Sequence, residues 1–205
     1  MNQTNLFSGL RDFLILWSSQ SVSKLGTSMT KFALIIWVFD QSGTALSITL
    51  LTIFSLVPSI LFSFAAGTLA DRWDKKRIML LADFLAAAGT VTVLILFRTN
   101  HLQIWHVYVI NFILSFMNAF QAPASYVATT LLVPKEQYVR ASGLNALSAS
   151  IVTILAPAFG SAIFAFGGLQ TVLIIDIVAF FIAFVILLVF VKIPKVVPAM
   201  EKAKE

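Results

Sequence analysis

The sequence contains no cysteine and only two histidines. The first absence excludes a disulfide framework, a thiolate metal site and a cysteine nucleophile together. Charge is scarce as well: 11% of residues are charged and 59% are hydrophobic, whereas an average soluble domain carries about 25% charged residues. A polar coat around an apolar core cannot be assembled from such a chain. Enzyme signatures are also missing, since there is no G-x-S-x-G or H-E-x-x-H arrangement and His101 and His106 both fall in one short connector. The last apolar run offers no histidine to serve an intramembrane serine protease. These absences point away from catalysis and from any resident cofactor or metal.

What the sequence does have is long apolar runs, several of which reach the roughly 20 residues that the hydrocarbon core of a bilayer demands. Their pattern predicts an all-α membrane protein with six transmembrane helices, at about 13–38, 45–70, 77–97, 104–132, 141–166 and 171–191. The connectors carry the expected breakers: Asp40 to Gly43, Arg98 to His101, Val133 to Glu136, and the Gly167-Gly168 pair. None is long enough to hold a soluble domain. The first run is too long and too polar in its middle for a secretory signal, and it is expected to stay as a span. Residues 192–205, with Pro194 and Pro198, read as the start of a cytoplasmic linker.

The net charge of +5 points to topology rather than to nucleic acid. One side collects Arg11, Arg72, Lys75, Lys76, Arg77, Lys135, Arg140, Lys192, Lys195, Lys202 and Lys204, and the other only Arg98. Lysine and arginine remain on the cytoplasmic side during insertion, so both termini are expected there, in a multi-pass protein of the cell membrane surrounded by lipid.

Two polar stripes run through the apolar pattern. Ser21, Lys24, Thr27, Ser28 and Lys31 are spaced three, four and seven apart in the first span, which places them on one helical face. Asn111, Ser115, Asn118, Gln121 and Ser125 repeat the pattern in the fourth, around a bend expected at Pro123. Such stripes need a shared polar space, so they are candidate cavity residues. The alternative is hydrogen bonding between helices without a cavity. Lys24 lies eleven residues into its span, hence about 16 Å deep at about 1.5 Å per residue, near the bilayer midplane. Asp83 and Asp176 are intramembrane carboxylates and candidates for proton coupling or ion pairing. Position along the chain suggests Lys75, Lys76 or Arg77 as partners of Asp83, and snorkelling toward the outer surface for Asp176.

The most specific segment is Gly67-Thr-Leu-Ala-Asp71-Arg72-Trp-Asp74-Lys75-Lys76-Arg77. It resembles the cytoplasmic loop signature of the major facilitator superfamily at Gly67, Asp71, Arg72, Lys75 and Lys76. Asp74 stands where the general pattern has glycine, and the Trp-Asp pair is similar to the drug and macrolide efflux branch. Trp17-Ser-Ser-Gln20, Leu25-Gly26, Phe32 to Trp37, Pro123-Ala124, Val133 to Glu136 and Ala141 to Asn145 resemble that branch too, over nearly the whole chain. The segment Val152 to Ser161 resembles the superfamily's antiporter signature at Pro157 and Gly160, while Val152, Ala156 and Ser161 replace glycines. Small residues with a proline in this helix allow either close packing or gating.

The resemblance implies the N-terminal half of a transporter fold built as a 3+3 inverted repeat, with the first and fourth spans lining a central cavity and the Asp71–Arg72 loop latching two halves. It implies a secondary active exporter of small amphiphilic compounds, macrolide- or siderophore-like, working by alternating access. Since the family's proteins have twelve spans, a second six-helix half or a homodimer is expected as partner. The alternative expectation is a structural or regulatory six-helix membrane protein, or a truncated product.

Overall fold

A computed structural model describes residues 3–190, with the side chains of residues 3–10, 65 and 67–72 outside the description. Among the described residues the chain is helical throughout: α1 (Gln3–Ser42), α2 (Ala45–Arg72), α3 (Lys75–Arg98), α4 (Ile104–Leu132), a 3₁₀ turn at Lys135–Gln137, and α5 (Tyr138–Val189). Helices are the outcome expected of these apolar runs, because in hydrocarbon every backbone polar group must find its partner within the segment. Pro58, Pro123 and Pro157 all sit inside helices that continue through them.

Among the described residues five helices are long and apolar enough to cross a membrane, where the hydropathy pattern predicts six runs. The fifth and sixth are joined in α5, which is 52 residues long and leaves helical geometry at Gly168 (φ 70, ψ 177). That region of backbone space is essentially reserved for glycine, so the Gly167-Gly168 pair expected to separate two spans does contain the break. The stretch expected to be a linker, 192–205, lies outside the described residues.

Local chemistry sets the other helix ends. Gly43 closes α1 with a positive φ of 64 and an N–H bond to Phe39 O at 2.8 Å. Asp74 caps α3, its side chain accepting from the backbone N–H of Lys76 at 2.9 Å and of Arg77 at 3.2 Å. The aspartate that departs from the family's glycine therefore starts a helix by supplying an acceptor to two otherwise unpaired amides. His106 Nδ1 accepts from the Gln103 backbone N–H at 3.1 Å, and His101 Nδ1 lies 2.6 Å from Thr99 O. Both histidines are spent on the α3–α4 turn.

Packing pairs α1 with α5 and α2 with α4, while α3 lies against both α4 and α5. Two apolar clusters result. One gathers Phe13, Met79, Ala124 and Leu187 toward the end that carries the Lys75–Arg77 cluster, and the other gathers Val38, Val93, Val107 and Val172 toward the opposite end. Between them lies a polar layer.

Candidate functional site: a polar cavity with two buried carboxylates

The face of α1 that carries Trp17, Gln20, Ser21, Lys24, Thr27, Ser28 and Lys31 opens on a cavity of about 550 Å³. Asn118 and Gln121 of α4 and Asp83 of α3 complete it, with Asn145 and Ser148 from the first part of α5. This volume lies in the range of pockets that hold drug-sized ligands, roughly 300 to 1,000 Å³. Trp17 Nε1 donates to Leu144 O at 3.0 Å and Ser148 Oγ to Ser21 Oγ at 2.7 Å, so the wall between α1 and α5 is held by polar contacts. Of the residues expected to line a cavity, Lys24, Thr27, Ser28, Lys31, Asn118 and Gln121 do so.

Asn111 does not. It is buried against α2, where its Oδ1 accepts from Ser55 Oγ at 3.2 Å, and its Nδ2 donates to Val107 O at 2.9 Å. Ser115 joins it there, donating to Ser55 O at 2.6 Å and accepting from the Ser59 N–H at 3.1 Å. The α4 stripe is thus divided. Its first turns glue α4 to α2 and only its later turns face the cavity.

Asp83 is 7% exposed, and each carboxylate oxygen takes a side-chain amide: Gln20 Nε2 donates at 3.0 Å and Gln121 Nε2 at 2.6 Å. The cation whose charge acts on it is Lys24. The expectation that Asp83 pairs with Lys75, Lys76 or Arg77 is therefore corrected. Asp83 turns inward between α1 and α4, while Lys76 Nζ donates to Leu188 O at 3.1 Å. Asp176, 2% exposed, likewise does not snorkel outward: Thr27 Oγ1 and Thr90 Oγ1 each donate to it at 3.1 Å, and Lys31 is the cation acting on it. A buried carboxylate held by two donors on two other helices cannot reach a surface without breaking both contacts.

Gly26 makes the second cluster possible. A Cβ at that position would stand 3.0 Å from Asp176 Oδ1 and 3.2 Å from Asp176 Cα, so only a glycine lets α1 come close enough for Thr27 to donate. Gly160, from the antiporter-like segment, has the same role one contact away, its Cβ position lying 3.1 Å from Met29 O. With Ala156 buried beside it and the helix continuing through Pro157, this segment forms a close α1–α5 contact. Gln20 and Thr90 were not singled out as site residues from sequence. A glutamine and a threonine in apolar runs carry no signal of a carboxylate partner 63 or 86 residues away. In the loop motif, α2 runs through Gly67 to Arg72, and the side chains of Asp71 and Arg72 lie outside the description. Lys75 is buried and Arg77 exposed at the start of α3.

A lysine at the middle of a membrane span costs roughly 2.5 to 3.5 kcal/mol on insertion scales unless it meets water or an acceptor. The cavity and the field of Asp83 supply that relief, and Lys31 is in the same position with Asp176.

A family model described as Major Facilitator Superfamily matches residues 16–205. The chain is 33% identical over 184 residues to macrolide efflux protein A of Streptococcus pyogenes, covering 89% of this chain and 45% of that protein. It is 37% identical over 155 residues to macrolide efflux protein A of Enterococcus faecalis, covering 75% of this chain and 46% of that protein. It is also 29% identical over 175 residues to the uncharacterized MFS-type transporter YkuC of Bacillus subtilis, covering 84% of this chain and 40% of that protein. The chain spans about half the length of the curated relatives it matches.

Proposed function

The chain belongs to the major facilitator superfamily, and from that premise we propose that it is one six-span half of a secondary active exporter of small amphiphilic solutes. The family makes it a membrane transporter rather than an enzyme. The observation that carries the rest is the cavity of about 550 Å³, whose wall is the polar face of α1 and the later turns of α4. A wall of that kind on one side only is half of a binding site, and alternating access moves two such walls about a solute at the midplane. The relatives' names, macrolide efflux protein A, put a macrolide among the solutes to test.

The count of six spans is our reading of the break in α5. At about 1.5 Å per residue its 52 residues would extend about 78 Å, more than twice the roughly 30 Å of a hydrocarbon core, so we read it as two spans meeting at Gly168. An inverted 3+3 repeat then has support in the chain itself. Leu80-Leu-Ala-Asp83-Phe-Leu-Ala86 in the third span aligns with Leu173-Ile-Ile-Asp176-Ile-Val-Ala179 in the sixth. Asp83 takes a donor from the fourth span as Asp176 takes one from the first. The one-sided basic residues support a reading in which both termini and the Asp71–Arg77 loop lie in the cytoplasm.

The test is coexpression with a second six-span half, followed by reconstitution into vesicles with an imposed ion gradient. Saturable solute flux that needs both halves supports the reading. Its absence with every solute tried, from folded and assembled protein, overturns it.

A further inference from the structure

We infer that the cavity selects solutes carrying an anionic group, which its two lysines hold in turn. The inference rests on the transporter reading above for its physiological meaning, but the binding preference stands on the geometry of this chain.

The two charge types at the cavity are presented unequally, with Asp83 in its wall and Asp176 in a small pocket beside it. Both carboxylates are withdrawn: Asp83 is 7% and Asp176 2% exposed, and each already accepts two side-chain hydrogen bonds, from Gln20 and Gln121 or from Thr27 and Thr90. Every carboxylate oxygen is thus tied to a donor inside the protein. Both lysines, in contrast, are exposed on the cavity wall. Each feels its aspartate, but neither makes a hydrogen bond or a direct ion pair among the described residues. An ammonium carries three donors and no acceptor, so six donors face the cavity from these two groups. A cationic solute would meet ammonium groups first and carboxylates that cannot come forward. A carboxylate, sulfonate or phosphate would meet ammonium donors that make no hydrogen bond or direct ion pair among the described residues, and hydrogen bonds between ionised partners are the stronger kind.

Spacing adds a second constraint. Lys24 and Lys31 lie seven residues apart on one face of α1, hence about 10 Å along the helix. They cannot both hold one small anion. They form two stations at different depths, each next to its own buried carboxylate, between which an anionic headgroup can pass. The apolar lining from Leu16, Leu114, Met117 and Phe180 would take the rest of an amphiphile.

The chain itself, in nanodiscs of zwitterionic lipid, supplies the test, because Trp17 lines the cavity and can transfer excitation to an anthracene. Two probes share one aromatic body: 9-anthracenecarboxylate and (anthracen-9-ylmethyl)trimethylammonium. The share of energy transfer that is lost in Trp17→Phe, over the transfer from Trp37, Trp73 and Trp105, reports cavity binding. The anion is expected to bind at least about tenfold tighter than the cation, a factor of ten being about 1.4 kcal/mol. The Lys24→Met, Lys31→Met double variant should lose that preference, and Lys24→Arg, Lys31→Arg should keep it. Equal or tighter binding of the cation by the unaltered chain overturns the inference without recourse to any variant. So does undiminished anion affinity in the methionine variant with an unchanged helical spectrum. An assembled transporter that exports a cationic solute without preferring anions removes this inference and leaves the transporter reading intact. Anion binding by a chain whose assembly never transports does the reverse.

Discussion

At the scale of single residues, the polar layer depends on a few positions with no slack. Replacing Gly26 by valine puts carbon where Asp176 Oδ1 and Cα are 3.0 and 3.2 Å from the new Cβ, so α1 must move away and the Thr27 bond to Asp176 is lost. The expected cost is about 1 to 3 kcal/mol, seen as a lower melting temperature by circular dichroism in detergent. Gly143, with nothing within 4 Å of its Cβ position, is the control: Gly143→Ala should leave the melting temperature unchanged or slightly raised. Gln121→Leu removes the 2.6 Å donor to Asp83 and strands one carboxylate oxygen. It is expected to destabilise by about 1 to 3 kcal/mol, and by clearly less when Asp83 is replaced by leucine in the same chain, because the stranded charge is then gone.

At the scale of the helix, the ends and the break are the informative places. Asp74→Ala removes the acceptor for two amides of α3 and should cost about 1 kcal/mol, with Asp74→Ser restoring most of it in the same melt. Gly168→Ala forces a side chain into φ 70, ψ 177, at a cost of about 1 to 3 kcal/mol. These helices were legible in the sequence because apolar length and breaker residues are local properties, and the polar faces of α1 and α4 were legible because three- and four-residue spacing is one too. The division of the α4 stripe was not. Asn111 and Asn118 are seven residues apart and share a face, but which neighbour covers that face at each level depends on how α2 leans on α4. The partners of Asp83 were missed for the same reason. Proximity along the chain favoured Lys75 to Arg77, whereas α3 rotates Asp83 toward two amides on other helices. A proline says where a backbone bond is lost, but not whether the helix ends there: α4 continues through Pro123, from Ile104 to Leu132.

At the scale of the whole molecule, the absence of cysteine makes orientation directly measurable. Single cysteines at Gln41 and Asn100 are expected to react with a membrane-impermeant maleimide in intact cells, and one at Trp73 to stay silent until the cells are opened. The reverse pattern would invert the topology. The two carboxylate clusters also bear on how the molecule can move. Asp83 and Thr90 are seven residues apart on α3, and Gln20 and Thr27 are seven apart on α1, with Gln20 bonded to Asp83 while Asp176 of α5 bridges Thr27 and Thr90. Fastenings at two levels resist both sliding and rolling, since a shift of one helical turn, about 5.4 Å, breaks both at once and strands two buried charges. These helices should therefore move as one stiff plate: on the transporter reading proposed above, distances between spin labels on α1 and α3 should stay fixed between inward- and outward-facing preparations, and any compliance must lie along the plate's edges.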